Sequence, residues 1–293
     1  MFLANISIAQ MDMELAEKQI NEKLEILRKA KTNMEREVAN MDLEEVIEKY
    51  LAYKETFEHP FSSVKTMGTI TSPDKAFRLF NWNVEQEDGT HKYFCYLVKN
   101  DKNRRKNTVV KFEDKSLMMK RHPVQAQLDS RRWYGALYYK IIPVKKGMKT
   151  FYTLLALDVN TRITNKKFIE VMYISGKKIK FGYPLIKDEK GQKVNRYFLE
   201  YQSDLNVSMK HYKMKKEEKI IFDHLEPKAE QLTGMYEHYV SEGTNDSFLF
   251  VDGYWVFQSD EKAENEEVKG QKYTDPKKAK HKNKEFKQKP IGG

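Results

Sequence analysis

The stretch WYGALYYKIIPVKKGMKTFYTLLALDV, residues 133–159, decides the architecture. Two runs rich in Tyr, Ile, Val, Phe and Leu meet at Gly147, a residue that a tight hairpin turn accepts at positive φ. The second run, TFYTLLALDV, is apolar in both of its alternating sets. A strand with one wet face would alternate apolar with polar, so this one is read as a central strand covered on both faces.

Similar pairs flank it. FRLFNWNVE (77–85) and HKYFCYLVK (91–99) surround an Asp88-Gly89 turn signal, KKFIEVMYIS and KKIKFGY surround Gly176, and SFLFV and YWVFQ surround Asp252-Gly253. NVSMKHYKMK and EKIIFDHL make a further pair around Lys216-Glu217. Strands joined by short turns, with no helical crossovers, pair antiparallel. The expected fold is mainly β with an N-terminal helical segment, its antiparallel meander over residues 61–258 folded as a sandwich or barrel. No repeat with a constant period near 40 residues occurs, which argues against a propeller. An outer-membrane barrel is rejected, because strands such as KKFIEV and RYFLEY carry charge in both alternation sets.

Upstream, residues 10–60 read as helices. Ile20, Leu24, Leu27, Met34, Val38 and Met41 recur at helical spacing as one apolar stripe. Asn40-Met41-Asp42 is expected to interrupt it, with Asp42 and Glu45 as a capping box for a second helix from Leu43 to about Phe57. The first ten residues, MFLANISIAQ, carry no charge and place Ser7 and Ala9 as small residues before Gln10. That pattern resembles the end of a secretory leader, so residues 1–9 are read as a signal-peptide remnant and the protein as exported, to the periplasm or beyond.

The formal net charge is +10, but nine lysines against Asp275 and Glu285 give residues 269–293 a net +7 of it, leaving +3 for everything before. The folded body is near neutral, which argues against a nucleic-acid partner even with RRWYGALYY (131–139) and RRKN (104–107) present. Residues 259–293, rich in Lys and Glu, are expected to be a disordered tail able to touch an anionic surface. No run approaches the roughly 18 apolar residues of a spanning helix, so an integral helical membrane protein is not expected. Cys95 is the sole cysteine, which rules out an internal disulfide; its setting in YFCYLV reads as a small buried hydrophobe.

The chemistry is less defined. No phosphate loop, dinucleotide fingerprint, HExxH helix or nucleophile elbow is present, and no metal site or cofactor is expected. Trp82, Trp133, Tyr138, Tyr139 and Trp255 are the candidate ligand-binding rings, set against plain core packing. Asp158, Asp223 and His224 are the candidate acid–base groups. Asp223 and His224 are neighbours on a strand, so they point to opposite faces and cannot orient one another. His224 is expected on the face of Ile220 and Phe222, at the edge of the core.

SPDKAFRLFNWN (72–83), ALYYKIIPVKKGMKTFYTLLALD (136–158), KKIKFGYPLIKD (178–188), IIFDHLEP (220–227) and DGYWVF (252–257) together resemble a family of uncharacterised exported bacterial proteins. The resemblance implies export and one β-rich unit over residues 64–258, and it transfers no activity. The leading functional expectation is an envelope protein that binds a ligand or another envelope protein without catalysis. The alternative is a hydrolase whose acid–base groups meet only in the fold.

Overall fold

The computed structural model describes residues 12–100, 105–119, 122–215 and 217–261. The leader-like residues 1–9, most of the 259–293 tail and Lys216 of the expected turn lie outside the described residues.

Two helices open the chain, α1 (Met13–Lys29) and α2 (Asn33–Leu51), followed by a single turn, α3 (Glu55–Glu58). The break falls earlier than expected, and Asn40-Met41-Asp42 lies inside α2. Its cause is Thr32: the hydroxyl accepts from the Glu35 N–H while the Glu35 carboxylate accepts from the N–H groups of Lys31 and Thr32, a complete capping box. Asp42 instead holds Lys23 of α1 at 2.7 Å. Moving the break resets the helical phase. Ile20, Leu24 and Leu27 stay buried, whereas Met34, Val38 and Met41 turn outward and Ala39, Leu43, Ile47, Tyr50 and Leu51 face the core.

The β strands follow in chain order: β1 (Gly68–Thr71), β2 (Arg78–Glu85), β3 (His91–Lys99), β4 (Thr108–Glu113), β5 (Leu128–Asp129), β6 (Leu137–Lys146), β7 (Lys149–Asp158) and β8 (Thr164–Ser175). The remainder are β9 (Lys178–Phe181), β10 (Ile186–Lys187), β11 (Lys193–Val194), β12 (Arg196–Gln202), β13 (Met209–Lys213), β14 (Glu218–Pro227), β15 (Tyr239–Val251) and β16 (Tyr254–Glu261). They form three open sheets: β1-β2-β3-β4, then β5-β9-β8-β7-β6 with β12 on β8, then β11-β10-β16-β15-β14-β13. None closes on itself, so the meander is sandwich-like and not a barrel. The turns follow local chemistry, with Gly147 and Gly176 at positive φ between adjacent strands and both Asp252 and Gly253 at positive φ between β15 and β16. One pairing departs from the antiparallel expectation: β10 runs parallel to β16, because the chain reaches β16 only after the β13–β15 meander.

Alternation within each strand stacks these elements into four layers. Phe80, Trp82, Val84, Tyr96 and Val98 of the first sheet pack on the helices. The opposite face, with Phe77, Leu79, Cys95, Leu97 and Phe112, meets Tyr138, Ile141, Leu154, Ala156, Phe168 and Met172 of the second. The far face of that second sheet, with Ile142, Val144, Phe151, Leu155, Ile169 and Val171, packs on Ile220, Phe222, Phe248 and Trp255 of the third. β7 thus feeds two cores, as its doubly apolar sequence requires. Cys95 is fully buried, and burial pushes its thiol well above the usual range.

One charged group pair sits inside this apolar stack. Glu170 of β8 lies directly across from Arg196 of β12, both side chains wholly buried and ion-paired. Tyr138 donates to the same carboxylate at 2.6 Å, Trp133 donates to the Tyr138 hydroxyl at 2.7 Å, and Arg196 donates to the carbonyls of Pro123 (3.1 Å) and Ala126 (2.6 Å). Among the described residues no helix is long and apolar enough to cross a membrane.

Candidate functional site

A polar cleft of about 610 Å³ opens where the first and second sheets end. Strand register builds its floor. Asp158 at the end of β7 pairs across to Lys166 of β8, and Lys166 pairs across to Glu200 of β12, so carboxylate, ammonium and carboxylate stand in one row. His91 at the start of β3, His122 and Tyr134 from loops, Asn160 from the β7–β8 turn and Tyr236 from the β14–β15 connection complete the walls.

The row is internally satisfied. Asp158 accepts from the hydroxyls of Tyr93 (2.8 Å) and Tyr134 (2.9 Å) and from the Asn160 N–H (2.8 Å), with the Lys166 ammonium at 3.8 Å. Lys166 donates to Asn160 Oδ1 at 2.8 Å and to the Tyr134 hydroxyl at 3.3 Å. Glu200 Oε1 accepts from Thr164 Oγ1 (2.7 Å) and Asn160 Nδ2 (3.2 Å), and Oε2 meets His122 Nε2 at 2.8 Å. Burial pushes Glu200 upward, but the hydrogen bonds from His122 and Thr164 and the charge of Lys166 outweigh it and hold the carboxyl below its usual range. Burial, then the Asp158 charge, push the Tyr134 hydroxyl well above the ordinary phenol value.

Two imidazoles stay open. An ionised Glu200 can only accept, so His122 Nε2 carries a proton, and in the neutral ring Nδ1 is an acceptor with no hydrogen-bond partner among the described residues. The ring is held flat against Phe198, with centroids 4.5 Å apart and planes at 12°. His91 has the opposite polarity. Its Nδ1 accepts from Asn83 Nδ2 at 2.9 Å, so the neutral ring carries its proton on Nε2. Burial lowers its pKa against the pull of Glu85 and Asp158, which keeps that neutral form dominant at pH 7. The cleft therefore offers one ring acceptor and one ring donor. Ser116 also lines it, but its hydroxyl is committed to Asp114 at 2.7 Å.

No known family model matches this chain. No curated protein matches it either. The resemblance to exported bacterial proteins gains no support from them.

Of the candidate acid–base residues, the cleft contains Asp158 alone. Asp223 and His224 lie elsewhere, on β14, and they do not contact one another. The β14–β15 register shifts between Asp223 and Leu225, with the extra residues on β15, and Leu225 packs against the core cluster of Ile220 and Phe222. His224 turns to two carboxylates, Asp246 at 2.6 Å and Glu226 at 2.9 Å, while Asp223 accepts from the Ser208 N–H at 3.0 Å.

The candidate ligand-binding rings are dispersed. Trp82 is buried between Phe94 and Tyr96 with its N–H on Asn40 Oδ1 at 2.8 Å, and Trp255 is buried with its N–H on Thr153 Oγ1 at 2.8 Å. Trp133 and Tyr138 belong to the Glu170 network. Rings with both faces covered offer no stacking platform, and of the five only Tyr139 is exposed, at 40%. Among the described residues no cluster of three or more His, Cys, Asp or Glu is placed to hold a metal ion. His91, His122, Lys166 and Glu200 escaped the sequence reading because they come from four separate segments. The one local signal was an Asp closing β7 with a Lys just beyond its turn.

Proposed function

We propose that the protein is a binding protein whose polar cleft captures a small uncharged polar ligand. The observation that carries this reading is the division of labour in the cleft. The charged groups of the row Asp158, Lys166 and Glu200 are already hydrogen-bonded to one another's neighbours and keep one net negative charge that disfavours anions. That leaves the neutral His122 ring's Nδ1 as acceptor and His91 Nε2–H as donor for an uncharged guest carrying both kinds of group. Calorimetric unfolding of the purified full chain, screened against neutral sugars, amides and polyols, tests it. A guest at about 100 times its Kd adds about 2.7 kcal/mol, or roughly 5–10 °C in Tm for a domain of this size. His122→Phe, measured against its own guest-free Tm, should abolish that shift. No guest-dependent shift from any of these classes refutes the reading.

A hydrolase is the second reading, favoured by one feature: Glu200 orients His122 with a free Nδ1, the arrangement of a general base. With Ser116 committed to Asp114, the nucleophile would be water. Turnover of an ester, glycoside, peptide or phosphate substrate that His122→Phe removes without unfolding would establish it. For location we propose export, supported by the uncharged MFLANISIAQ stretch with Ser7 and Ala9. Recovery from the native host of cytoplasmic protein retaining Met1 would overturn that.

A further inference from the structure

The near-neutral body conceals a local concentration of positive charge. Lys146 at the end of β6, Lys187 of β10 and Lys193 of β11 converge on one ring, Tyr254 at the start of β16. Their ammonium nitrogens lie 3.2, 4.9 and 5.1 Å from its centroid. Trp255 points into the core, so its neighbour Tyr254 points outward from the third sheet. Charges gathered around one ring at those distances lie within about a Debye length of one another at physiological salt, where screening is incomplete. Carboxylates ordinarily relieve such crowding. The nearest in sequence make their contacts elsewhere: Asp188 accepts from the N–H groups of Lys190 and Gln192, and Glu189 from the Tyr197 hydroxyl. Asp252 lies in the turn just before Tyr254. Among the described residues none of the three lysines forms an ion pair with a carboxylate.

Fold geometry, not flexible reach, brings them together. Lys146 pairs with Lys149 across the tight Gly147 turn, and Lys187 pairs with Lys193 across the β10–β11 turn. The parallel β10–β16 pairing, the one exception in the sheets, sets Lys187 beside Val256 and so within reach of Tyr254. The contacts of Lys146 and then Lys193 also hold the Tyr254 phenol below its ordinary value.

The structure assigns to Lys146, Lys187, Lys193 and Tyr254 a binding site for a phosphoryl group, at the rim where the end of β6 meets the β15–β16 turn and separate from the polar cleft. Three ammonium donors match the three terminal oxygens of a phosphate monoester or pyrophosphate end, and the Tyr254 ring holds the ammonium groups together by cation–π contact.

The test uses the full chain and two probes that separate a soluble from a lipid source. Inorganic pyrophosphate is titrated calorimetrically, and phosphatidylcholine vesicles containing phosphatidic acid are used in co-sedimentation. Binding to pyrophosphate assigns a soluble phosphoryl ligand, and binding to vesicles alone assigns a lipid headgroup. In either arm each single substitution, Lys146→Ala, Lys187→Ala or Lys193→Ala, should weaken binding about fivefold, the usual worth of one lysine beside a phosphate surface. The triple variant should not bind. A control removing the same charge from the helical layer and the loop after it, Lys18→Ala with Lys31→Ala and Lys65→Ala, should bind as wild type does. Failure of both probes to bind, or equal loss in the control, would overturn the assignment, the latter by showing only a response to net charge.

Discussion

Replacing Glu170 with Gln changes one atom at the centre of the molecule and leaves Arg196 charged with no anion beside it. Both side chains are wholly inaccessible to water, so solvent cannot compensate. The carbonyls of Pro123 and Ala126 still accept two guanidinium protons, and the Gln carbonyl can accept a third, but none supplies a negative charge. Breaking one partner of a buried pair in this way costs about 3–5 kcal/mol. For a domain of roughly 250 residues at about 2–4 °C per kcal/mol, the Tm should fall by about 6–20 °C. Urea unfolding followed by tryptophan fluorescence gives the free energy directly, with an unchanged m-value showing that the unfolding reaction is the same. Removing both charges, as Glu170→Met with Arg196→Met, should recover a large part of the loss, since a packed apolar pair is often as stable as the buried ions it replaces. A loss below about 1 kcal/mol for Glu170→Gln, no more than one ordinary hydrogen bond, would refute the reasoning and show that backbone carbonyls alone suffice for Arg196.

Other outcomes are equally open to measurement. His224 is drawn down by burial but raised on balance by Asp246 and Glu226, so its contribution is full below the unfolded value near 6.5 and fades as pH rises through the folded one. His224→Gln should therefore cost about 1 kcal/mol or more near pH 5.5 and less at pH 8.5, in paired denaturation curves; equal costs at both would be inconsistent with the carboxylate contacts. Glu200 titrates below its usual range, so its stabilisation holds above pH of about 4.3 and is lost as pH falls through the folded value. Glu200→Gln should cost about 2 kcal/mol at pH 7, and the gap from wild type should narrow in acid. Thr32→Ala removes the acceptor of the α2 capping box and should cost about 1 kcal/mol by the same curves, whereas Asp42→Ala, mid-helix, should cost under about 0.5 kcal/mol.

Local chemistry was readable where it acts over a few residues. Gly147, Gly176 and Asp252-Gly253 announce their turns because few other residues accept positive φ there, and the doubly apolar β7 announces its burial. The α1–α2 break was misplaced because Thr32-x-x-Glu35 and Asp42-x-x-Glu45 are equivalent as strings, and only packing of Leu43 and Ile47 on the first sheet selects the former. The partner of His224 was not legible because Asp246 comes from the neighbouring strand β15, 22 residues away in sequence. The cleft was beyond reach for a different reason. Asp158 and Lys166 are joined by one turn, but Glu200 enters their row only because β12 returns to pair with β8 after β9, β10 and β11 have intervened. No periodicity within either segment encodes that pairing.

The double coverage of the second sheet carries a consequence for how the chain is made. A ribosome delivers the helices, the first sheet and β6 to β9 before β14, β15 and β16 exist. Throughout that interval Ile142, Val144, Leu155, Ile169 and Val171 have no partner layer, and the nascent protein presents a flat apolar wall to its surroundings. Trp255, from the last strand, covers that wall at the very end of synthesis of the folded body. A chain stalled or clipped just short of Trp255 would keep its helices and two of its sheets, yet it would be a preferred client for chaperones and a seed for aggregation. Among the described residues, completion of the core between the second and third sheets thus waits on β16.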